Sequence, residues 1–349
     1  MVFVTGATGL LGRVIVLELL KKGKKVRASK RASSNLDEVK NSFKFYTEYP
    51  AFFFKKIEWV DVDFDDEKSI EIALKDVGEV YHCAGKISFD PKDDDEVYHA
   101  GVTATKNLLS ACKGSPVYKF LYVSSAAVMD LTNQYGMLTE QSLFDHQKDH
   151  SAYVISKYMS EQLVKSANSL RFRTVIVNPG MILGSGNWKQ SSGELLQIFI
   201  DTPFTFSGGT SCVDVRDVAK ISLLLMEQNV FGERFIISSE NKKYTQIAHE
   251  IREKIGKKNS IVLTKKHLKC LIFLNILFGW LIAKLRLLTK ANIDFVSSFP
   301  KASNKRIKEK LDYNFIPVAE SIDFHIDNYI KDKNKQNVSG VIFKKHLIS

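Results

Sequence analysis

The sequence predicts an α/β fold, a doubly wound parallel sheet with a smaller C-terminal lobe, and three observations carry that prediction. Short β-rich runs alternate with longer helical runs over the first two thirds of the chain, and a glycine triplet separates the first run from the first helix. After Gly184 the alternation stops and the chain becomes basic and less regular. Repetition of strand, helix and strand implies parallel strands covered by helices on both faces.

Strands are expected at 2–5, 25–28, 57–62, 77–82, 120–124 and 174–178. Helices are expected at 11–22, 67–74, 102–111 and 153–166, where apolar residues recur at three- and four-residue spacing. With 349 residues, 44% of them hydrophobic, the chain can bury a substantial core. Cys83, Cys112, Cys212 and Cys270 stand far apart, so neither a disulfide framework nor a metal site is expected. Scattered cysteines fit a reducing cytoplasm, and the N-terminus enters the glycine motif with no room for a secretory signal. A net charge of +11 raises the question of nucleic acid, but no motif of a nucleic-acid-binding fold accompanies it and none is expected as partner.

The stretch Thr5-Gly6-Ala7-Thr8-Gly9-Leu10-Leu11-Gly12 has the spacing GxxGxxG between a strand and a helix. Glycine there permits a tight turn, close backbone approach to a pyrophosphate at the helix N-terminus, and tight packing of helix on strand. At the end of the second strand, Arg27-Ala28-Ser29-Lys30-Arg31 offers cations and no acid before Asp37. A ribose without a 2′-phosphate calls for Asp or Glu at this place, whereas a 2′-phosphate calls for cations, so NADP(H) is favoured over NAD(H). Asp63, followed by Phe64, closes the third strand and could accept from the adenine amine.

These residues, with VYHCAGKISF at 80–89, LYVSSAAV at 121–128, YVISK at 153–157, VNPGMILGSG at 177–186 and VDVRDVA at 213–219, resemble extended short-chain dehydrogenases/reductases of the NAD-dependent epimerase/dehydratase superfamily. The resemblance lies with the dihydroflavonol reductase-like and 3β-hydroxysteroid dehydrogenase-like branch and covers nearly the whole chain. It implies a Rossmann domain over 1–183, completed by part of 210–240, a substrate lobe over 184–209 and 240–330, and a polar tail over 331–349. Carried over by position, Gly6, Thr8, Gly9, Leu10, Leu11 and Gly12 would hold the pyrophosphate, and Arg31, with Arg27 and Lys30, the 2′-phosphate. Asp63 and Phe64 would meet the adenine, and Ala84, Gly85 and Lys86 the nicotinamide ribose. Val123, Asn178, Pro179, Gly180 and Ile182 would line the nicotinamide, the Asn178-Pro179-Gly180 segment through its main chain. Where the family reads NVxGTxNLL this chain has Gly101 for the leading asparagine, a side chain that in the family supports the active-site helix.

Tyr-x-x-x-Lys occurs twice, at Tyr153/Lys157 and at Tyr329/Lys333. The earlier copy opens a helix after a strand that ends in Ser124-Ser125, and the later one lies in a polar tail, so Tyr153 and Lys157 are the expected pair, and the resemblance adds Ser125, which precedes Ala126-Ala127-Val128 as the family's catalytic serine does. The (i, i+4) spacing puts Tyr153 and Lys157 on one helical face, where the ammonium can favour the phenolate and Tyr153 can pass a proton to or from the substrate oxygen. Ser125 would orient that oxygen, and no Asp-Glu pair follows it, which disfavours dehydration.

Residues 271–283 carry no charge and are flanked by Lys265, Lys266, Lys269, Lys284, Arg286 and Lys290. The run is shorter than the ~20 residues a membrane crossing needs. It is expected either as a buried, pocket-lining helix or as an interfacial helix making peripheral membrane contact over 268–288. Either reading suits an apolar substrate. The expected activity is NAD(P)H-dependent reduction of a ketone or aldehyde, or the reverse oxidation; nucleotide-sugar 4-epimerisation with tightly held NAD, and non-catalytic NADP(H) binding, are the alternatives. Family members often form homodimers, here through helices 102–111 and 153–166.

Overall fold

The computed structural model describes residues 1–188, 192–278 and 283–346, with side chains placed in these except at 192–195, 273–278, 283–284 and 335–346. The chain begins with β1 (Val2–Thr5), α1 (Leu10–Lys21), β2 (Val26–Lys30), α2 (Leu36–Ser42), α3 (Pro50–Phe54), β3 (Ile57–Asp61), α4 (Glu67–Leu74), β4 (Glu79–His82), α5 (Asp94–Tyr98), α6 (Ala104–Lys113) and β5 (Lys119–Val123). It continues through β6 (Met137–Leu138), α7 (Ala152–Ala167), β7 (Arg173–Pro179), β8 (Met181–Leu183), α8 (Ser192–Asp201), β9 (Phe204–Phe206), β10 (Gly209–Asp214), α9 (Val215–Glu227) and β11 (Arg234–Ile237). Last come β12 (Glu240–Lys243), α10 (Tyr244–Lys254), β13 (Ile261–Leu263), α11 (Lys265–Phe278), α12 (Ala283–Arg286), α13 (Lys290–Ser297), β14 (Lys301–Ala302), α14 (Lys305–Leu311) and α15 (Val318–His346).

Seven strands in the order β11-β7-β5-β4-β1-β2-β3 form one sheet, every neighbouring pair parallel. Alternation along β1 decides what covers it: Val2 and Val4 face the helices α1 and α9, and Phe3 faces the side of Leu108 and Val164. Strand order reverses between β1 and β4, and in such sheets the crevice beyond the strands' carboxyl ends at the reversal is where ligands bind.

The helix expected at 102–111 starts earlier. The turns of α5, a π-helical turn at His99–Thr103 and α6 follow one another without a break, and Val97 and Val102 are buried where α5 and the π-helical turn pack on α7, despite the acidic residues before them. The lobe is built on a second sheet, β12-β10-β8, whose core joins Phe199, Ile247 and Ile251 to Val318, Ile322 and Ile326 of α15. Residues 331–346, expected as a polar tail, continue α15, while 347–349 lie outside the described residues. Within 240–330, α14 packs instead on β11 and α9 with Ile307 in the sheet core. Of the apolar run, α11 covers its first part with Leu268 buried and Cys270 exposed; 279–282 lie outside the described residues. No described helix is long and apolar enough to cross a membrane.

Candidate active site

The glycine loop occupies the crevice. Gly6 has φ +62°, and a Cβ there would meet the Ala84 backbone nitrogen at 2.7 Å, so the β1 and β4 loops touch only because Gly6 has no side chain. A Cβ on Gly12 would lie 2.2 Å from the Gly6 carbonyl oxygen, so α1 could not come so close to the loop with any other residue. Gly9 is the N-cap of α1, and its N–H donates to the Gly6 carbonyl at 2.9 Å. The remaining N–H groups at the start of α1, with the positive end of its dipole, suit a pyrophosphate, and the cradle that these absent Cβ atoms leave fits one. Leu10 and Leu11 bury their side chains and can serve a ligand only through their backbone.

One residue the sequence reading missed braces this loop. Arg13 is 2% exposed; its guanidinium donates to the carbonyls of Thr8, Gly9 (3.2 Å) and Gly186 (2.7 Å) and pairs with Glu38 at 3.1 Å. A lone charge inside the apolar stretch Leu10–Leu17 was the available signal, since a buried charge needs partners.

At the adenosine end the expected cations separate. Arg27 does not reach the phosphate position: it turns under the sheet, donating to the carbonyls of Ala73 (2.9 Å) and Lys75 (2.7 Å) and pairing with Glu58 at 2.8 Å. The cause is strand alternation, which puts Arg27 on the α4 side of β2, where it satisfies the last carbonyls of that helix. Lys30 is held by both oxygens of Asp61 at 2.6 Å. Arg31 is exposed beyond the strand and has no ion pair among the described residues. Asp63 is exposed and its Oδ1 accepts from Asp65 N at 3.0 Å, while the Phe64 carbonyl accepts from Asn107 Nδ2 at 2.8 Å.

The three expected catalytic residues converge. The Ser125 hydroxyl lies beside the Tyr153 phenol and acts against its burial, and Ser125 Oγ accepts from Ala127 N at 3.2 Å. Ser124 points the other way, donating to Glu161 Oε2 at 2.8 Å, and Asn178 Nδ2 donates to the same oxygen at 2.8 Å and to the Ser125 carbonyl at 3.1 Å. Burial works against the Glu161 charge, but Arg234 at 2.7 Å and these hydrogen bonds outweigh it and hold its carboxyl below the usual range. Lys157 Nζ donates to the Val123 carbonyl at 2.8 Å and lies 5.1 Å from the Tyr122 ring centroid. A side chain on Gly85 would place its Cβ 3.4 Å from that ammonium. Burial lowers Lys157 to about 8 and raises Tyr153, so the phenol is neutral and ready to donate. Behind them His82 bridges Thr5 Oγ1 (2.6 Å) and Thr105 Oγ1 (2.9 Å), and burial lowers it to about 3.

Other expected contacts are redirected. Lys86 turns outward to Asp93 (3.2 Å) and Glu96 (2.5 Å). The Gly180 N–H, expected to face the nicotinamide, is taken by the Ile237 carbonyl at 3.1 Å, and Gly180 itself lies against Ser211, so this stretch of backbone is committed to the sheet. Pro179 ends β7, and Ile182 packs half-buried against the main core in register with Val213. Gly101 sits in the π-helical turn, where a Cβ would come within 1.9 Å of Ser156 Oγ on α7. The second Tyr-x-x-x-Lys copy is no tail: Tyr329 is buried in the lobe core, its ring 5.2 Å from that of Trp188.

On the substrate side Tyr153 meets an aromatic wall. The Phe89 ring stands 5.8 Å from that of Tyr153 and 5.6 Å from that of Phe295 on α13. Asn292 Nδ2 fixes the Phe89 carbonyl at 2.8 Å, and Arg286 pairs with Asp90 at 2.9 Å, so the lobe is fastened to the segment before α5.

The sequence pattern of the NAD dependent epimerase/dehydratase family matches residues 2–238. The chain belongs to that family. It is 30% identical over 246 residues, 68% of each protein, to a Synechocystis protein carrying a provisional dihydroflavonol 4-reductase name. To sterol demethylase protein B of Methylococcus capsulatus it is 27% identical over 262 residues, 72% of this chain and 74% of the other. Among solved structures, gox2253 superposes with a TM-score of 0.79 at 23% identity, covering 95% of this chain and 98% of the other. The UDP-glucuronic acid 4-epimerase of Bacillus cereus, in complex with NAD, gives 0.70 at 17% identity over 94% and 95%. The fold of this epimerase/dehydratase-family chain is therefore the Rossmann-like fold of those structures, and the chain is an NAD(P)-dependent oxidoreductase.

Proposed function

We propose that this chain reduces the carbonyl of an apolar ketone or aldehyde with NADPH, and can catalyse the reverse oxidation. The observation that carries the reading is Tyr153: a neutral phenol beside Ser125, one helical turn from the Lys157 ammonium and facing Phe89. When bound, the nicotinamide supplies or accepts the hydride. The residues of this chain do the rest. Ser125 orients the carbonyl oxygen, Tyr153 gives it a proton as negative charge develops there, and Lys157 stabilises the phenolate left behind. Phe89 and Phe295 present an apolar surface to the rest of the molecule, which suits a greasy carbonyl compound better than a sugar.

Preference for NADPH rests on Arg31, the exposed cation at the end of β2. The expected result of Arg31→Asp is a shift of the NADPH/NADH ratio of kcat/KM by at least about tenfold toward NADH, since one charge-assisted phosphate contact is lost and a ribose acceptor gained. An unchanged ratio would remove Arg31 from the phosphate site.

The function is tested by following NADPH oxidation with a panel of apolar ketones and aldehydes. Tyr153→Phe is expected to lower turnover by at least about 100-fold while NADPH binding stays near wild type. Turnover retained in that variant refutes the role of Tyr153. Purified protein holding one NAD per chain that does not exchange would replace reduction by 4-epimerisation, the activity named for the Bacillus cereus neighbour.

A further inference from the structure

We propose that the lobe surface around β13 docks the protein on an anionic lipid membrane and that the apolar substrate reaches Tyr153 from that surface; the second half rests on the reductase reading. Charge distribution is the first observation. Residues 254–293 contain eight lysines and one arginine and no Asp or Glu, which is most of a net charge of +11 on a chain of 349 residues. Four of these cations are answered within the fold: Lys254 by Asp323 (2.9 Å), Lys265 by Asp294 (2.7 Å), Arg286 by Asp90 (2.9 Å) and Lys290 by Asp149 (2.5 Å). Lys257, Lys258, Lys266 and Lys269 are exposed and meet no carboxylate among the described residues.

What lies between those two pairs of lysines is the second observation. β13 is three residues long, about 10 Å at strand rise, and pairs in parallel with β9 so that Ile261 stands beside Phe204. Ile261 is 60% exposed and Phe204 43%. An uncovered apolar ribbon with ammonium groups at both ends that no carboxylate answers, Lys257 donating only to the Ile200 carbonyl at 2.7 Å, matches a lipid headgroup layer, the apolar side chains entering the acyl boundary and the lysines meeting phosphate and carboxylate groups. Nucleic acid fits less well, because these cations are all lysines and the ribbon lacks the row of aromatic faces on which bases stack.

The third observation is continuity with the site. α11 follows β13 and packs against α13, whose Phe295 touches Phe89, the neighbour of Tyr153. A protein seated on lipid through β13 therefore has its substrate wall close to the same surface, and contact is peripheral.

The test is sedimentation of the full chain with phosphatidylcholine vesicles and with vesicles containing about 30% phosphatidylserine. Binding to the anionic vesicles alone is expected, lost in about 0.5 M salt where charges are screened within a few ångström. Combined Lys257→Gln, Lys258→Gln, Lys266→Gln and Lys269→Gln is expected to weaken it about 100-fold. Ile261→Ser is expected to weaken it several-fold, with the far-UV spectrum unchanged in both variants. No partition onto anionic vesicles, equal partition onto neutral ones, full binding by the lysine variant, or tighter binding to single-stranded RNA than to vesicles at equal salt each overturns the proposal. Vesicle binding is read without turnover, so failure to oxidise NADPH counts against the reductase reading and leaves the docking surface standing.

Discussion

Lys157 donates to the Val123 carbonyl at 2.8 Å and is enclosed by Tyr122, Cys83 and Gly85, and among the described residues no carboxylate pairs with it. Burial lowers it from 10.5 to about 8. Between those values the unfolded chain keeps a proton that the folded chain has released, so by linkage stability rises with pH from about 8 to 10.5 and the penalty is complete below 8. Its size is about 3 kcal/mol. In the cofactor-free protein, urea unfolding of the wild type is expected to gain this much relative to Lys157→Met across that window; parallel pH curves for the two would show that the ammonium is not buried. Below about 8 Lys157 is charged, which is the state that supports a Tyr153 phenolate. This pair and Ser125 were legible in the sequence because a strand and a serine precede one Tyr-x-x-x-Lys copy and not the other. Arg27 and Arg13 were not. A five-residue strand reading Val-Arg-Ala-Ser-Lys does not tell which polar residue faces a helix end, and the partners of Arg13 come from Glu38 and Gly186, far apart in sequence.

Gly101 shows what one helix can require of another. Its turn carries a π-helical insertion and presses on α7 at Ser156, between Tyr153 and Lys157, with no room for a Cβ. The asparagine typical of the family would meet the Ser156 hydroxyl first, so it could stand here only if that serine turned away or the helix that holds the proposed catalytic pair shifted. Gly101→Ala is expected to cost about 1–3 kcal/mol through overpacking and to lower turnover, and Ser156→Ala in the same chain is expected to restore most of both. A double variant as impaired as the single one would place the strain elsewhere. Sequence reading saw a missing side chain at this position; the complementary serine on a neighbouring helix could not be seen. The C-terminal helix was hidden for a different reason. Charged residues between 318 and 337 mask Ile322, Ile326 and Tyr329, whose three- and four-residue spacing marks one buried face.

Across the whole molecule the lobe and the sheet share one buried polar seam. His325 of α15 accepts or donates at Ser185 Oγ (2.7 Å) and Asp214 (3.1 Å), and Ser321 donates to the same carboxylate at 2.7 Å. Burial opposes the Asp214 charge, but Arg216 and His325 hold its carboxyl well below the usual range. Asp214 also caps α9, the helix packed on α1, so one carboxylate joins the lobe helix to the helix layer of the sheet. Ile326→Ala, at a fully buried position, is expected to cost about 2–5 kcal/mol and to lower one shared transition, seen alike by far-UV circular dichroism and tryptophan fluorescence. Two separate transitions would mean that the seam does not couple the two parts. The parallel sheet and its crevice were readable from the alternation of runs, and the presence of a lobe from its end after Gly184, while the lobe's own strands were not, because they are short and paired across long stretches of chain.

Arg13 returns at this largest scale as a question of entropy. With the carbonyls of Thr8, Gly9 and Gly186 gathered on one guanidinium, the loop is ordered by the folding of α1 and not by its ligand. Fixing a backbone residue costs about 1–2 kcal/mol, and here that cost falls on folding. On the proposed reductase reading a nicotinamide cofactor then meets a socket already formed, and its exchange after each turnover would leave the loop as it was.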